Sequence, residues 1–169
     1  MATLRARAQQ EKVHARPRDL FLPFTPMEKE EAEILVDRVA KEAGALVLNE
    51  PTKSLLKPLR PMALGVNEVS RLLEHRHARV VVMSSDASVL GMCSHVAVMA
   101  IQLNVPICVV PLTSAALGAI FKLKQVSVFG FRTLPTNANS VAELEDAIVQ
   151  LRSIQDFVVA KASPIVHTQ

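Results

Sequence analysis

Three short apolar runs constrain the fold of this chain more than anything else in it: "RVVVMS" at 79–84, "PICVV" at 106–110 and "QVSVFGF" at 125–131. Runs of this length, apolar on both faces, fit strands of a sheet that is covered on both sides. Between and before them lie segments of helical length, from about Val66 to His75, from about Ser88 to Leu103, and over "SAALGAIF". Strands alternating with helices predict a central sheet sandwiched between helices.

Two more helices flank that core. In "TPMEKEEAEILVDRVAKEAG", Thr25 is placed to cap, Pro26 suits the first helical position and Glu28 completes a capping box. Ala32, Leu35, Val36, Val39 and Ala43 recur at helical spacing, and Gly44 reads as the stop, so the spacing predicts a helix over 26–44. Ser140 and Glu143 form a second capping box ahead of Val141, Leu144, Ile148, Leu151 and Ile154, which predicts a last helix over 140–157. The intervening "NEPTKSLLKPLRP" holds three prolines and reads as a connection. The chain thus divides into a flexible basic arm at 1–24, in which Phe21 and Phe24 find a surface to pack on, one domain at 25–158 and a loose tail at 159–169. It carries no internal repeat and no low-complexity tract.

Composition narrows the class. Half the residues are hydrophobic, enough for a packed core, yet no apolar run approaches the eighteen or so residues of a membrane-spanning helix. The net charge of +3 is unevenly spread: residues 1–25 and 63–135 hold a surplus of Lys and Arg, whereas residues 26–62 and 136–169 hold a surplus of acids. Such a surplus is compatible with nucleic acid without identifying it. Cys93 and Cys108 sit in apolar segments without metal-ligand spacing and read as buried, reduced thiols. The arginine-rich start "MATLRARAQQEKVHARPR" lacks the apolar stretch of a secretory signal; it fits a mitochondrial presequence, an RNA-binding arm or a nuclear address, with Glu11 and Asp19 counting against the first.

Catalytic chemistry finds no residues to stand on. His75 and His77 diverge at a helix end, His95 reads as a half-buried, hydrogen-bonded histidine, and no nucleophile elbow, zinc-protease helix or phosphate-binding loop is present. The chain is expected to be no enzyme and to hold neither metal nor cofactor.

What remains is the polar cluster in "LGVNEVSRLLEHRHARVVVMSSD" at 64–86. Gly65 directly before a helix permits close backbone approach, and a helix start offers free amides to an anion. Asn67 and Glu68 fall in the first turn, where a carboxylate suits the donor edge of guanine, and Arg71 shares their face. The same letters also fit a plain helix start, with Asn67 and Glu68 capping and Arg71 making an intrahelical ion pair.

This stretch, with "SHVAVMAIQLNVPICVV" downstream, resembles the signature of the kink-turn-binding ribosomal protein family, the L-seven-Ae/L-thirty-e/Gadd-forty-five superfamily, over about Met62 to Phe131. Within it the likeness is closest to the 38-kDa-type protein subunits of ribonuclease P and ribonuclease MRP, through "GVNEV", a Ser-His in the second helix, a Val-Pro-x-Cys strand and the loop length across "VPLTSAALGAIFKLKQV". The resemblance implies a three-layer α/β/α sandwich with a central mixed sheet, and a non-catalytic subunit of a ribonucleoprotein engaged in tRNA or rRNA processing. Its partners would be a structured RNA containing a kink-turn with sheared G·A pairs and other protein subunits, with no membrane and no small-molecule substrate, in the nucleus or nucleolus. A ribosomal, mitoribosomal or small nucleolar particle is the alternative within the family, with a mitochondrial or cytoplasmic ribosome as its place. A protein-interaction module on the same fold is the alternative outside it.

Carried over residue by residue, Gly65 and Val66 would bring backbone amides to the RNA, Asn67 and Glu68 would read the guanines, and Arg71 stands where lysine is usual. Val110, Pro111 and Leu112 would cover the extruded nucleotide. The chain departs from the family pattern in having Ser88 and Val89 where many members carry an acidic residue and proline, and in a recognition loop without a basic residue.

Overall fold

The computed structural model describes residues 24–136 and 142–165, with residues 87–90 described by backbone alone. The basic arm up to residue 23, with Phe21, and the expected cap at Ser140 and Val141 lie outside these residues. The elements in chain order are α1 (Lys29–Val39), a π-helical turn (Ala40–Gly44), α2 (Ala45–Leu48), α3 (Glu50–Leu56), β1 (Met62–Leu64), α4 (Val66–Glu74), β2 (Ala78–Ser84), α5 (Ala87–Gln102), β3 (Ile107–Val110), α6 (Ser114–Ile120), β4 (Val128–Arg132) and α7 (Ala142–Ala160).

The strands form one mixed sheet in the order β1-β4-β2-β3. β2 runs parallel to β3 and antiparallel to β4, and β4 is antiparallel to β1. Successive side chains of a strand point to opposite faces, so each apolar run feeds two layers. Val80 and Val82, Cys108 and Val110, Phe129 and Phe131 pack with α1, α3, α6 and α7. Val81 and Met83, Ile107 and Val109, and Val128 pack with α4 and α5 on the other face. The three-layer α/β/α sandwich read from the runs is therefore the fold, and none of its described helices is long and apolar enough to cross a membrane.

Both cysteines are buried and free, and Cys108 Sγ donates to the Val158 carbonyl oxygen at 3.2 Å. Burial, which disfavours the thiolate, pushes the Cys108 pKa up to about 12, so this thiol is an unreactive part of the core.

Helix boundaries differ from the sequence expectation at four places, one of them the last helix, which runs on to Ala160 rather than stopping at 157. The first helix begins at Lys29, with Glu28 extended at its N-cap and no side-chain cap, so the capping box of Thr25 and Glu28 does not form. The backbone amides of this stretch go elsewhere: Thr25 N donates to Pro164 O at 3.1 Å and Met27 N to Val109 O at 2.9 Å. Nor does Gly44 end the helix, which passes through the π turn and on to Leu48. A β-carbon on Gly44 would lie 3.1 Å from the Ile120 carbonyl oxygen, so glycine there serves close contact with the end of α6. The proline-rich connection contains α3, because Pro51 falls in the first helical turn, where a missing N–H costs nothing.

The tail expected to be loose is docked through Ile165. Ser163 is buried, its N donates to Ile107 O at 2.8 Å, its Oγ accepts from Val109 N at 2.9 Å, and Ile165 bridges Phe24. Phe24 itself is buried, as expected of a residue that needed a surface to pack on. Together with Met27, these groups cover the outer edge of β3.

Candidate nucleic-acid interface

The sheet brings the two predicted site segments to one end. Gly65, between β1 and α4, donates its N–H to Val128 O at 2.8 Å at the start of β4. Val128 pairs with Met83, Met83 with Val109, and Ser84 with Val110. The start of α4 and the loop after β3 therefore lie along the same edge of the strands, separated by three interstrand spacings, about 14 Å.

Gly65 is the N-cap of α4, with φ 90° and ψ 165°. That conformation belongs to glycine, and a β-carbon placed there would meet nothing within 4 Å, so the glycine serves the backbone and leaves open space outside it. Gly65→Ala is therefore expected to lower stability by about 1–3 kcal/mol through backbone strain alone. Chemical denaturation checks this, and an unchanged midpoint would remove the requirement for glycine.

No side chain caps α4, which leaves the amides of its first turn available. Asn67, Glu68 and Arg71 are all exposed, and none has a hydrogen-bond or ion-pair partner among the described residues. Of the two sequence readings of this cluster, capping with an intrahelical ion pair is the one the geometry does not contain. The helix start is held from behind. Ser70 Oγ donates to Val66 O at 2.7 Å, and His95 Nε2 lies 3.0 Å from Ser70 Oγ. The hydroxyl proton is already committed, so His95 donates, tying the first turn of α4 to α5. His95 is exposed rather than half-buried.

The sequence reading missed three cations. Lys53 and Lys57 of α3 and its C-terminal turn, and Arg60 beyond it, line a groove of about 670 Å³ whose other wall includes Glu68. Lys53 pairs with Glu50 at 3.3 Å, whereas the side chains of Lys57 and Arg60 have no partner among the described residues. The signal was present as lysines four apart, a helical spacing, in a segment whose prolines suggested no helix.

In the loop after β3, Pro111 and Leu112 are half-buried. Buried Ser84 fixes them by donating from Oγ to Leu112 O at 2.5 Å while accepting from Asp86 N at 3.1 Å. Val110 corrects the expectation: its side chain is 0% exposed and packs in the core layer with Val82 and Phe129. As the last inward-facing residue of β3 it cannot meet a base, which leaves Pro111 and Leu112 as the apolar surface of that loop.

His75 and His77 are exposed at the opposite end of α4, their rings stacked with centroids 6.1 Å apart. Among the described residues no group of three or more His, Cys, Asp or Glu could hold a metal ion.

A small α/β/α sandwich with a glycine-initiated helix presenting unpaired polar side chains beside a short apolar loop defines a class of binding protein. The family model described as Ribosomal protein L7Ae/L30e/S12e/Gadd45 family matches residues 47–141, more than half of the chain, and the chain belongs to that family. The match extends beyond the 62–131 core resemblance on both sides and takes in α3. Among solved structures, the chain is similar to a Giardia lamblia 15.5kD RNA binding protein, with a TM-score of 0.51 and 16% identity over 85% of this chain and 98% of that one. At that identity the likeness concerns the fold. No curated protein sequence matches the chain. Membership of this family agrees with the expectation of a binding protein rather than an enzyme.

Proposed function

We propose that the chain is a non-catalytic RNA-binding subunit of a ribonucleoprotein that grips a kink-turn, and that the particle is of the ribonuclease P or MRP type. One observation carries the reading: Asn67, Glu68 and Arg71 stand exposed and, among the described residues, unpaired on the first two turns of α4, beside an uncapped helix start. A free carboxylate accepting from the N1–H and N2–H₂ edge of guanine, and an amide offering donor and acceptor, suit the sheared G·A pairs. Open space over Gly65 admits a nucleic-acid backbone to the amides of α4. Arg71 then meets phosphate from the same face, with Lys57 and Arg60 across the groove. Pro111 and Leu112 offer an apolar cover to an extruded base. The particle assignment rests on the sequence likeness to the 38-kDa-type subunits, with a nuclear or nucleolar place to match.

Titration with a kink-turn hairpin, and with the same hairpin carrying Watson–Crick pairs in place of the sheared G·A pairs, tests the reading. Replacement is expected to weaken binding roughly tenfold or more, since each lost hydrogen-bond partner leaves a buried group unpaired. Equal affinity for the two hairpins would sink the kink-turn reading. Sequencing RNA crosslinked in cells decides the particle: ribonuclease P or MRP RNA supports the proposal, and rRNA or small nucleolar RNA replaces it with the alternative within the family.

A further inference from the structure

The end of the sheet opposite the Asn67–Glu68 face carries a second cationic feature. A hollow of about 520 Å³ opens there between the turn after α4 and the turn after α5, lined among others by Arg76, Arg79, Gln102, Asn104 and Thr133 and by no carboxylate. The seven residues of β2 separate the two ends, a span of about 20 Å.

Its two corners are built alike. Arg76 N donates to Leu73 O at 2.9 Å and His77 N to Leu72 O at 3.1 Å, while Asn104 N donates to Ile101 O at 3.1 Å and Val105 N to Ala100 O at 2.8 Å. These paired bonds are the Schellman ending of a helix, which puts one residue in the left-handed region, where glycine is the usual choice. Here those residues are Arg76, with φ 57°, and Asn104, with φ 55°. Asparagine tolerates that backbone, but arginine pays for its β-carbon there while its side chain makes no hydrogen bond or ion pair among the described residues. Among the described residues Arg79 has a single exposed partner, Asp156 at 3.4 Å, which leaves most of its five donors unused there.

We infer that this hollow is a second RNA contact, which takes the phosphate backbone of a helix continuing from the bound kink-turn. The inference rests on the RNA-binding reading above. Guanidinium groups and amide or hydroxyl side chains are the groups that meet phosphate and ribose, and they supply the exposed members of the lining, alongside half-buried Ala78, Leu103, Val105 and Pro106. A protein partner fits less well, because the centre of a protein interface is depleted of charge and rich in aromatic and apolar anchors. Binding here is read through charge, so it depends on salt and on RNA length, and not on the G·A pairs.

Arg76→Gly is the informative substitution, since it removes the cation and relieves the left-handed backbone together. The variant is expected to be at least as stable as the parent and to bind a minimal kink-turn hairpin with parental affinity. With a hairpin whose stems are each extended by one helical turn, the parent should bind more tightly than it binds the minimal hairpin. Arg76→Gly should lose roughly three- to tenfold of that affinity, and the slope of log affinity against log salt should fall by about 1. Arg79→Gln supplies a second variant with the same expectation should Arg76→Gly lower stability. Parental affinity and salt slope of both variants on the extended RNA would overturn the inference, as would an Arg76-dependent association with polyglutamate in the absence of any effect on RNA. Loss of the minimal hairpin's dependence on its G·A pairs refutes the kink-turn reading instead, and that outcome is read on a different RNA.

Discussion

Glu68→Ala and Asn67→Ala are each expected to weaken binding to a kink-turn hairpin by about 1–3 kcal/mol and to relax discrimination for the G·A pairs. The magnitude follows from what the substitution leaves behind. A guanine edge desolvated against α4 keeps its donors and loses its acceptor, and that unpaired group costs more than the bond itself contributes. Neither side chain has a partner among the described residues and both are exposed, so folding stability should move by less than about 0.5 kcal/mol. Arg71→Ala should behave differently, weakening all RNAs alike and lowering the salt slope by about 1. Parental binding by all three folded variants would put the contact surface elsewhere on the molecule.

Phe129→Ala is expected to cost about 3–5 kcal/mol of stability, the largest effect of any single truncation proposed for this chain. Phe129 is 0% exposed on β4, paired with Leu64 on one side and Val82 on the other. Its ring stands edge-on to Phe121 at 5.3 Å and to Phe131 at 6.0 Å between centroids. Three aromatic rings meet there, so neighbouring side chains cannot collapse into the space and a cavity remains. Urea denaturation should show a lowered midpoint with a nearly unchanged slope. Val149→Ala, at a position 63% exposed on α7, is the control and should fall within about 0.5 kcal/mol of the parent. A loss below about 1 kcal/mol for Phe129→Ala would contradict its place at the centre of the sheet.

The layers of the fold were legible because β2, β3 and β4 are apolar at nearly every position that the sheet buries, Ser84 at the end of β2 being polar, and α4 to α6 lie between them at helical length. β1 was not legible: "MAL" is three residues long and becomes a strand only by pairing with Phe131, Gly130 and Phe129, far along the chain. The first helix misled for a similar reason. Thr25 carries a good local capping signal, yet its amide bonds to Pro164, so a contact with the opposite end of the chain outweighs the local preference. Gly44 offered a stop signal whose real cause, the Ile120 carbonyl close to where a β-carbon would sit, lies in another element.

The site divides along the same line. Gly65, Asn67, Glu68 and Arg71 could be grouped from the sequence because they lie within seven residues at the start of one short helix, where spacing alone decides which share a face. Val110 was misjudged because strand and loop differ there by one residue, and the pleat alternation that buries Val110 ends before Pro111. Lys57 and Arg60 reach the Glu68 groove only through the docking of α3, which no local pattern announces.

The covered edge of β3 has a consequence for how this protein can be recognised. An open sheet edge invites any extended chain to join it by backbone hydrogen bonds, which is both a common mode of peptide capture and a route to aggregation. Ser163 and Met27, from the two ends of the described chain, already occupy the backbone groups of Ile107 and Val109 that an added strand would use. β1, at the opposite edge, offers only three residues. A partner of this chain would therefore have to reach it through side chains and helix ends rather than by adding a strand at β3.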